Sequence, residues 1–148
     1  MNKKGIGILV STLLVLIMAF SLLAGCGLES FKKEVKKRGW EYEEYGREVA
    51  MAEASVLIAN KEKTTKVEKA IQGASKVIAI SKQEGLKTYS IHYFIFDKSS
   101  SAKAYYKALN KTLKKVEKNS PYYSMIIKKK GKVIAIADRE SAEKFSKK

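Results

Sequence analysis

Two kinds of pattern divide the chain. From Gly5 to Leu28 no residue is charged, and Ile8-Leu9-Val10, Leu13–Phe20 and Leu22-Leu23 are apolar on every helical face, unlike an amphipathic core helix. Beyond Leu28, apolar and polar positions recur with the periods of helices and strands. Ser30 can cap a short helix over 31–38, with Phe31 and Val35 on one face and Lys32, Lys33, Lys36 and Lys37 filling the rest. Gly39 ends it. Trp40–Tyr45 reads as a strand, Trp40 and Tyr42 facing one way, Glu41 and Glu43 the other. Residues 47–60 predict a helix with Val49, Ala52, Val56 and Ala59 at helical spacing. After a polar break at Lys61–Thr64, Thr65 and Glu68 have capping-box spacing ahead of Val67, Ala70 and Ile71, and Gly73 stops that helix.

Ser75–Lys82 predicts a strand with Ile78 and Ile80 on one face, turning at Gln83-Glu84-Gly85. Thr88–Asp97 is the strongest strand pattern: Tyr89, Ile91, Tyr93 and Ile95 on one face, His92, Phe94 and Phe96 on the other. Both faces are apolar, which places it centrally in a sheet. Ser99-Ser100-Ser101 opens a helix running to about Lys118, with Ala102, Tyr105, Tyr106, Leu109, Leu113 and Val116 on one side. Asn119-Ser120-Pro121 breaks it, Tyr122–Lys128 and Lys132–Ala137 predict a hairpin across Lys129-Lys130-Gly131, and Asp138 can cap a last helix through Ala142 and Phe145.

With 47–72 counted as one broken helix, the order is α-β-α-β-β-α-β-β-α. Its middle matches the split βαβ, ferredoxin-like arrangement. The expected fold is α+β: an antiparallel sheet of about five strands with the long helices on one face and added terminal elements. The alternative is an α+β sandwich with another strand order.

The uncharged run follows the basic start Met1–Lys4 and ends in small residues, Ala24 and Gly25, before Cys26. This is the order of a secretory signal. A permanent membrane-spanning helix is the competing reading, since spans need about 20 residues. Leu23-Ala24-Gly25-Cys26 resembles the lipobox of bacterial lipoprotein signal peptides. The resemblance covers residues 1–26 and implies cleavage between Gly25 and Cys26, with a diacylglyceryl group on the Cys26 thiol. It further implies residence at the outer face of the cytoplasmic membrane. Residues 1–25 are then the signal, 26–30 a short tether, and 31–148 a single basic domain held within roughly 15 Å of the lipid surface. The domain is also similar, loosely and by pattern as in Tyr93–Lys107, to small α+β lipoprotein domains of Gram-positive bacteria, which brings no activity with it.

The chain of 148 residues carries a net charge of +15. Residues 26–148 hold 28 basic and 15 acidic side chains, and only Arg38, Arg47 and Arg139 are arginines. Lysine, a hydrated point charge, suits diffuse attraction to anionic surfaces better than bidentate recognition of one phosphate. Between Lys98 and Lys132 lie 11 lysines and one acid, Glu117. Lys103, Lys107, Lys111 and Lys118, with the Lys128-Lys129-Lys130 turn, form the candidate anion-binding set, toward anionic lipid, wall polymer or DNA. A solvated helix face is the plainer explanation of the same pattern.

Catalytic patterns are lacking. Cys26 is the only cysteine and His92 the only histidine, so an intramolecular disulfide and a cysteine-built zinc site are excluded. No phosphate-binding glycine loop, Gly-x-Ser-x-Gly or His-Glu-x-x-His motif is present, and no cofactor is implied. Glu43 and Glu44 point to opposite faces of a strand and do not pair simply. His92 reads as a packed strand residue. The aromatic signature of RNA-recognition domains is missing, so no specific nucleic acid is expected. The sequence thus predicts a non-enzymatic, lipid-anchored binding domain.

Overall fold

A computed structural model describes residues 27–147. Five strands form one sheet: β1 (Glu41–Tyr45), β2 (Ala74–Glu84), β3 (Lys87–Phe96), β4 (Met125–Lys130) and β5 (Val133–Asp138). Five helices surround it: α1 (Leu28–Lys37), α2 (Arg47–Val56), α3 (Thr65–Gln72), α4 (Ser99–Lys114) and α5 (Arg139–Ser146). The strand order is β1-β2-β3-β5-β4, every neighbouring pair antiparallel. The fold is the α+β arrangement with a five-stranded antiparallel sheet that the sequence predicts.

β3 is the central strand because both its faces are apolar. Phe94 and Phe96 face the core formed with α2, α3 and α4, alongside Ala54, Ala70, Tyr105 and Leu109. Ile91 and Tyr93 face a second core with Phe31 and Val35 of α1, Trp40, and Ala142 and Phe145 of α5. The longer helical segments therefore share one face, as expected, and the two terminal helices cover the other.

The winding departs in part from a ferredoxin-like core. β3, α4 and β4 make a split βαβ unit, with β5 lodged between its two strands. The first half does not: β1 lies directly beside β2, antiparallel, Tyr42 opposite Ile80. The cause is parity. The stretch 47–72 is two helices joined through a 3₁₀ turn at Asn60–Glu62, not one broken helix. One crossover helix returns the chain parallel; two return it reversed.

Both hairpins close through two residues, Gly85-Leu86 and Gly131-Lys132, the glycines at φ +62° and +58°. Such positive φ at the first turn position is what tight hairpins require. The turns predicted at 83–85 and 129–131 are thus displaced toward the glycine and the residue after it. Lys128, Lys129 and Lys130 are consequently residues of β4, not of a turn. β4 is an edge strand, and lysines there discourage pairing with another chain.

Helix ends shift by small amounts for identifiable reasons. Thr64, not Thr65, caps α3, its hydroxyl accepting from the Val67 amide at 3.3 Å. Asp138 caps α5 as expected, accepting from the Ser141 amide at 2.7 Å and the Ser141 hydroxyl at 2.8 Å. α4 ends at Lys114, leaving Lys118 in a turn. α1 starts at Leu28, so Leu28, Glu29 and Ser30 belong to the helix rather than to a tether, and Ser30 is not its cap. Cys26, the proposed cleavage site and residues 1–25 lie outside the described residues.

In α2 the predicted apolar stripe faces outward. Val49 is 39% and Val56 78% exposed, whereas Ala50 and Ala54 are fully buried. α2 is apolar on several sides, so spacing alone does not choose its inner face. The small side chains do, because they let the helix lie close upon the sheet.

Candidate anion-binding face

α4 forms from a clean division of its positions. Ala102, Tyr105, Ala108 and Leu109 are buried against the sheet and α2–α3, while Lys103, Lys107 and Lys111 are exposed. These lysines recur every fourth residue and stand about 6 Å apart along the axis. Among the described residues, none of the three is in a salt bridge.

Lys107 and Lys111 are not merely a solvated ridge. With Ala104 and Ala108 they form one wall of a cleft of about 180 Å³, whose other wall is Glu62, Thr64, Lys66 and Val67. The alanines leave the space open. Glu62 is the one acid there, and its carboxylate already accepts from Lys115 at 3.1 Å, its side chain only 15% exposed. Counting Lys115, four lysines stand against one carboxylate. The region is anchored by Thr112, whose hydroxyl accepts from the Ala59 amide at 3.2 Å and donates to the Ala108 carbonyl at 3.0 Å. Concave, rigidly based and cationic, the cleft can take an anionic group by charge while keeping no fixed geometry for it.

The remaining predicted lysines do not join it as a set. Lys103 is exposed nearer the start of α4, and Lys118 lies beyond its end. In β4 the alternation splits the triplet. Lys129 is opposite Ile134 and shares the α4 face, whereas Lys128 and Lys130 are opposite Ala135 and Val133 on the α1–α5 face. Lys66, which the structure adds, carries no local sequence signal, since only the packing of α3 on α4 brings it in.

His92 is half-buried in β3, its Nδ1 2.9 Å from Glu53 Oε2 of α2. It borders a shallow hollow of about 360 Å³ with Ala52, Glu53, Val56 and Leu57. A smaller hollow beside it, about 160 Å³, includes Ser90 and Asp138. Asp138 is committed to capping α5, and among the described residues no hydrogen bond links Ser90 to His92. Glu43 and Glu44 are separated as expected: Tyr45 bonds Glu43, and Glu44 pairs with Lys76 and accepts from the Tyr42 hydroxyl at 3.2 Å. Lys76 holds the Glu44 carboxyl below its ordinary range, burial opposing, and burial with the Glu44 charge pushes the Tyr42 phenol upward.

Among the described residues no three His, Cys, Asp or Glu side chains converge, and no helix is long and apolar enough to cross a membrane. No family model, curated protein or solved structure matches the chain.

Proposed function

We propose that the chain is an exported lipoprotein, anchored through a diacylglyceryl group on Cys26 at the outer face of the cytoplasmic membrane. Its domain is non-enzymatic and binds or organises a neighbouring envelope component. The observation that carries this is Leu23-Ala24-Gly25-Cys26 closing an uncharged run that begins after Lys4. Two features of the domain agree with it. Helix α1 begins two residues after Cys26, and among the described residues the buried core side chains run from Phe31 to Phe145. Two acyl chains make anchoring stable where one is marginal, at about 0.8 kcal/mol per buried methylene. The test is mass spectrometry of protein extracted from membranes. It is expected to begin at Cys26 and carry a diacyl adduct, and Cys26→Ala is expected to keep its first 25 residues and lose the adduct. Native protein that begins at Met1 without fatty acid overturns the reading.

A second reading, that the domain binds a polyanion, is favoured by the cleft of Lys66, Lys107 and Lys111. Retention on an immobilised polyanion tests it. Elution at about 0.15 M salt, where screening acts over about 8 Å, overturns it.

A further inference from the structure

Strand register fixes which end of the sheet the anchored terminus leaves. One row across the sheet runs Tyr45, Val77, Phe94, Ile134 and Lys129. The next runs Lys76, Ile95, Val133 and Lys130, and beyond it lies the Gly131-Lys132 turn. Lys98, just before α4, follows the same end of β3. The Gly85-Leu86 turn closes the opposite end.

α1 points from the first end to the second. Its Phe31 packs edge-on against Tyr42 and Tyr93, at 6.1 and 5.2 Å between ring centroids. Past its last turn, Arg38 Nη1 donates to the Phe145 carbonyl at 2.8 Å, and Trp40 packs edge-on against Phe145 at 5.2 Å. The next residue, Glu41, is opposite Ser81, toward the Gly85-Leu86 turn. Ten residues of helix span about 15 Å, so Leu28 lies back toward the Lys130–Lys132 end. Gly27, one peptide bond from Cys26, therefore leaves the domain there.

That end is cationic. Lys98, Lys130 and Lys132 are exposed, and among the described residues none is in a salt bridge. Nearby acids are largely compensated. Asp97 accepts two bonds from Arg47, at 3.0 and 2.9 Å, and Glu44 pairs with Lys76, leaving Glu29 in α1's first turn and Glu48 in α2's first turn as exposed acids.

We propose that Lys98, Lys130 and Lys132 form a foot that rests on anionic phospholipid head groups. The domain then stands with its β4–β5 turn on the bilayer and its β2–β3 turn away from it. Each lysine near such a surface contributes about fivefold to the preference. The tether makes contact intramolecular, so a patch too weak to recruit a free protein still sets orientation. The inference rests on the lipid at Cys26 proposed above.

The test uses the lipidated protein reconstituted in vesicles, with the Cys26 adduct verified by mass. Cys26 is the only cysteine and its sulfur carries the diacylglyceryl group, so Ser99→Cys or Leu86→Cys provides a single labelling site. In phosphatidylglycerol-containing vesicles a fluorophore at 99 is expected to be quenched by head-group quenchers several-fold more than one at 86. The difference is expected to collapse in phosphatidylcholine vesicles, and with Lys98, Lys130 and Lys132 changed to Gln. Lys36 and Lys37, exposed in the last turn of α1 toward the opposite end, should leave it intact when changed to Gln. Equal quenching at both sites, or a difference indifferent to lipid charge, overturns the foot while leaving the anchor standing. A Cys26 without the diacylglyceryl adduct overturns both.

Discussion

The Tyr105 hydroxyl donates to the Ala54 carbonyl at 2.8 Å, deep between α4 and α2. Ala54 lies in the last turn of α2, where carbonyls lose their helical partners. Tyr105 thus ends one helix with the side chain of another. Its phenol is pushed far upward by burial and then by the Glu53 charge, which keeps the donor proton in place. Tyr93 is the counterpart: buried, its phenol also raised by burial, and its hydroxyl without a hydrogen-bond partner among the described residues. Tyr105→Phe is expected to cost about 1–3 kcal/mol in urea unfolding, whereas Tyr93→Phe costs nothing or stabilises. Equal losses would show that both hydroxyls are satisfied.

The face of α2 offers a second measurement. Val56 is 78% exposed and Ala54 fully buried against β2 and α4. Val56→Ser is expected within about 0.5 kcal/mol of the parent, the usual range for surface changes. Ala54→Val is expected to destabilise by about 1–3 kcal/mol through overpacking. Thermal melts of the two variants give the answer directly.

Acid should weaken the β1 edge. The folded Glu44 carboxyl titrates below its ordinary value of 4.5, chiefly through its bond from Lys76. A depressed carboxylate stabilises above the unfolded value, and that contribution is lost as pH falls through the folded one. Glu44→Gln is expected to flatten this part of the stability curve below about pH 4.5, seen as urea midpoints converging with the parent in acid. At the other extreme, Lys87 and Lys144 are raised by their bonds to Glu140 and Glu84. Their contribution is complete below 10.5 and disappears as pH climbs through the folded values.

For the cleft, Lys66, Lys107 and Lys111 changed together to Gln should lower the salt needed for elution from a polyanion column. The logarithmic salt slope should fall by about 0.7 per lysine removed. Lys128→Gln with Lys130→Gln is expected to change it much less, those side chains lying across the sheet. A larger effect from the strand pair would move the binding face to the sheet edge.

Much of the architecture was legible because β3 advertises itself. Alternation with both faces apolar specifies a central strand, and its two sets of side chains map onto the two cores as the sequence predicts. What escaped reading is what only packing decides. α2 has apolar residues on several sides, and the fit of Ala50 and Ala54 against the sheet selected among them. Counting 47–72 as one crossover missed the reversal that Asn60–Glu62 introduces, and hence the place of β1. For the candidate face, the α4 lysines followed from helical period. Lys66 did not, since it approaches Lys107 and Lys111 only through helix packing, and Lys128–Lys130 parted because a two-residue turn moved them into a strand.

The second core is sewn between the chain's extremities: Phe31 and Trp40 from one, Ala142 and Phe145 from the other. A polypeptide made amino end first therefore cannot close that side until α5 is available to pack. Until then α1 has an apolar stripe and no α5 to meet. Closure of this core waits on α5, and losing that helix strands α1 as well.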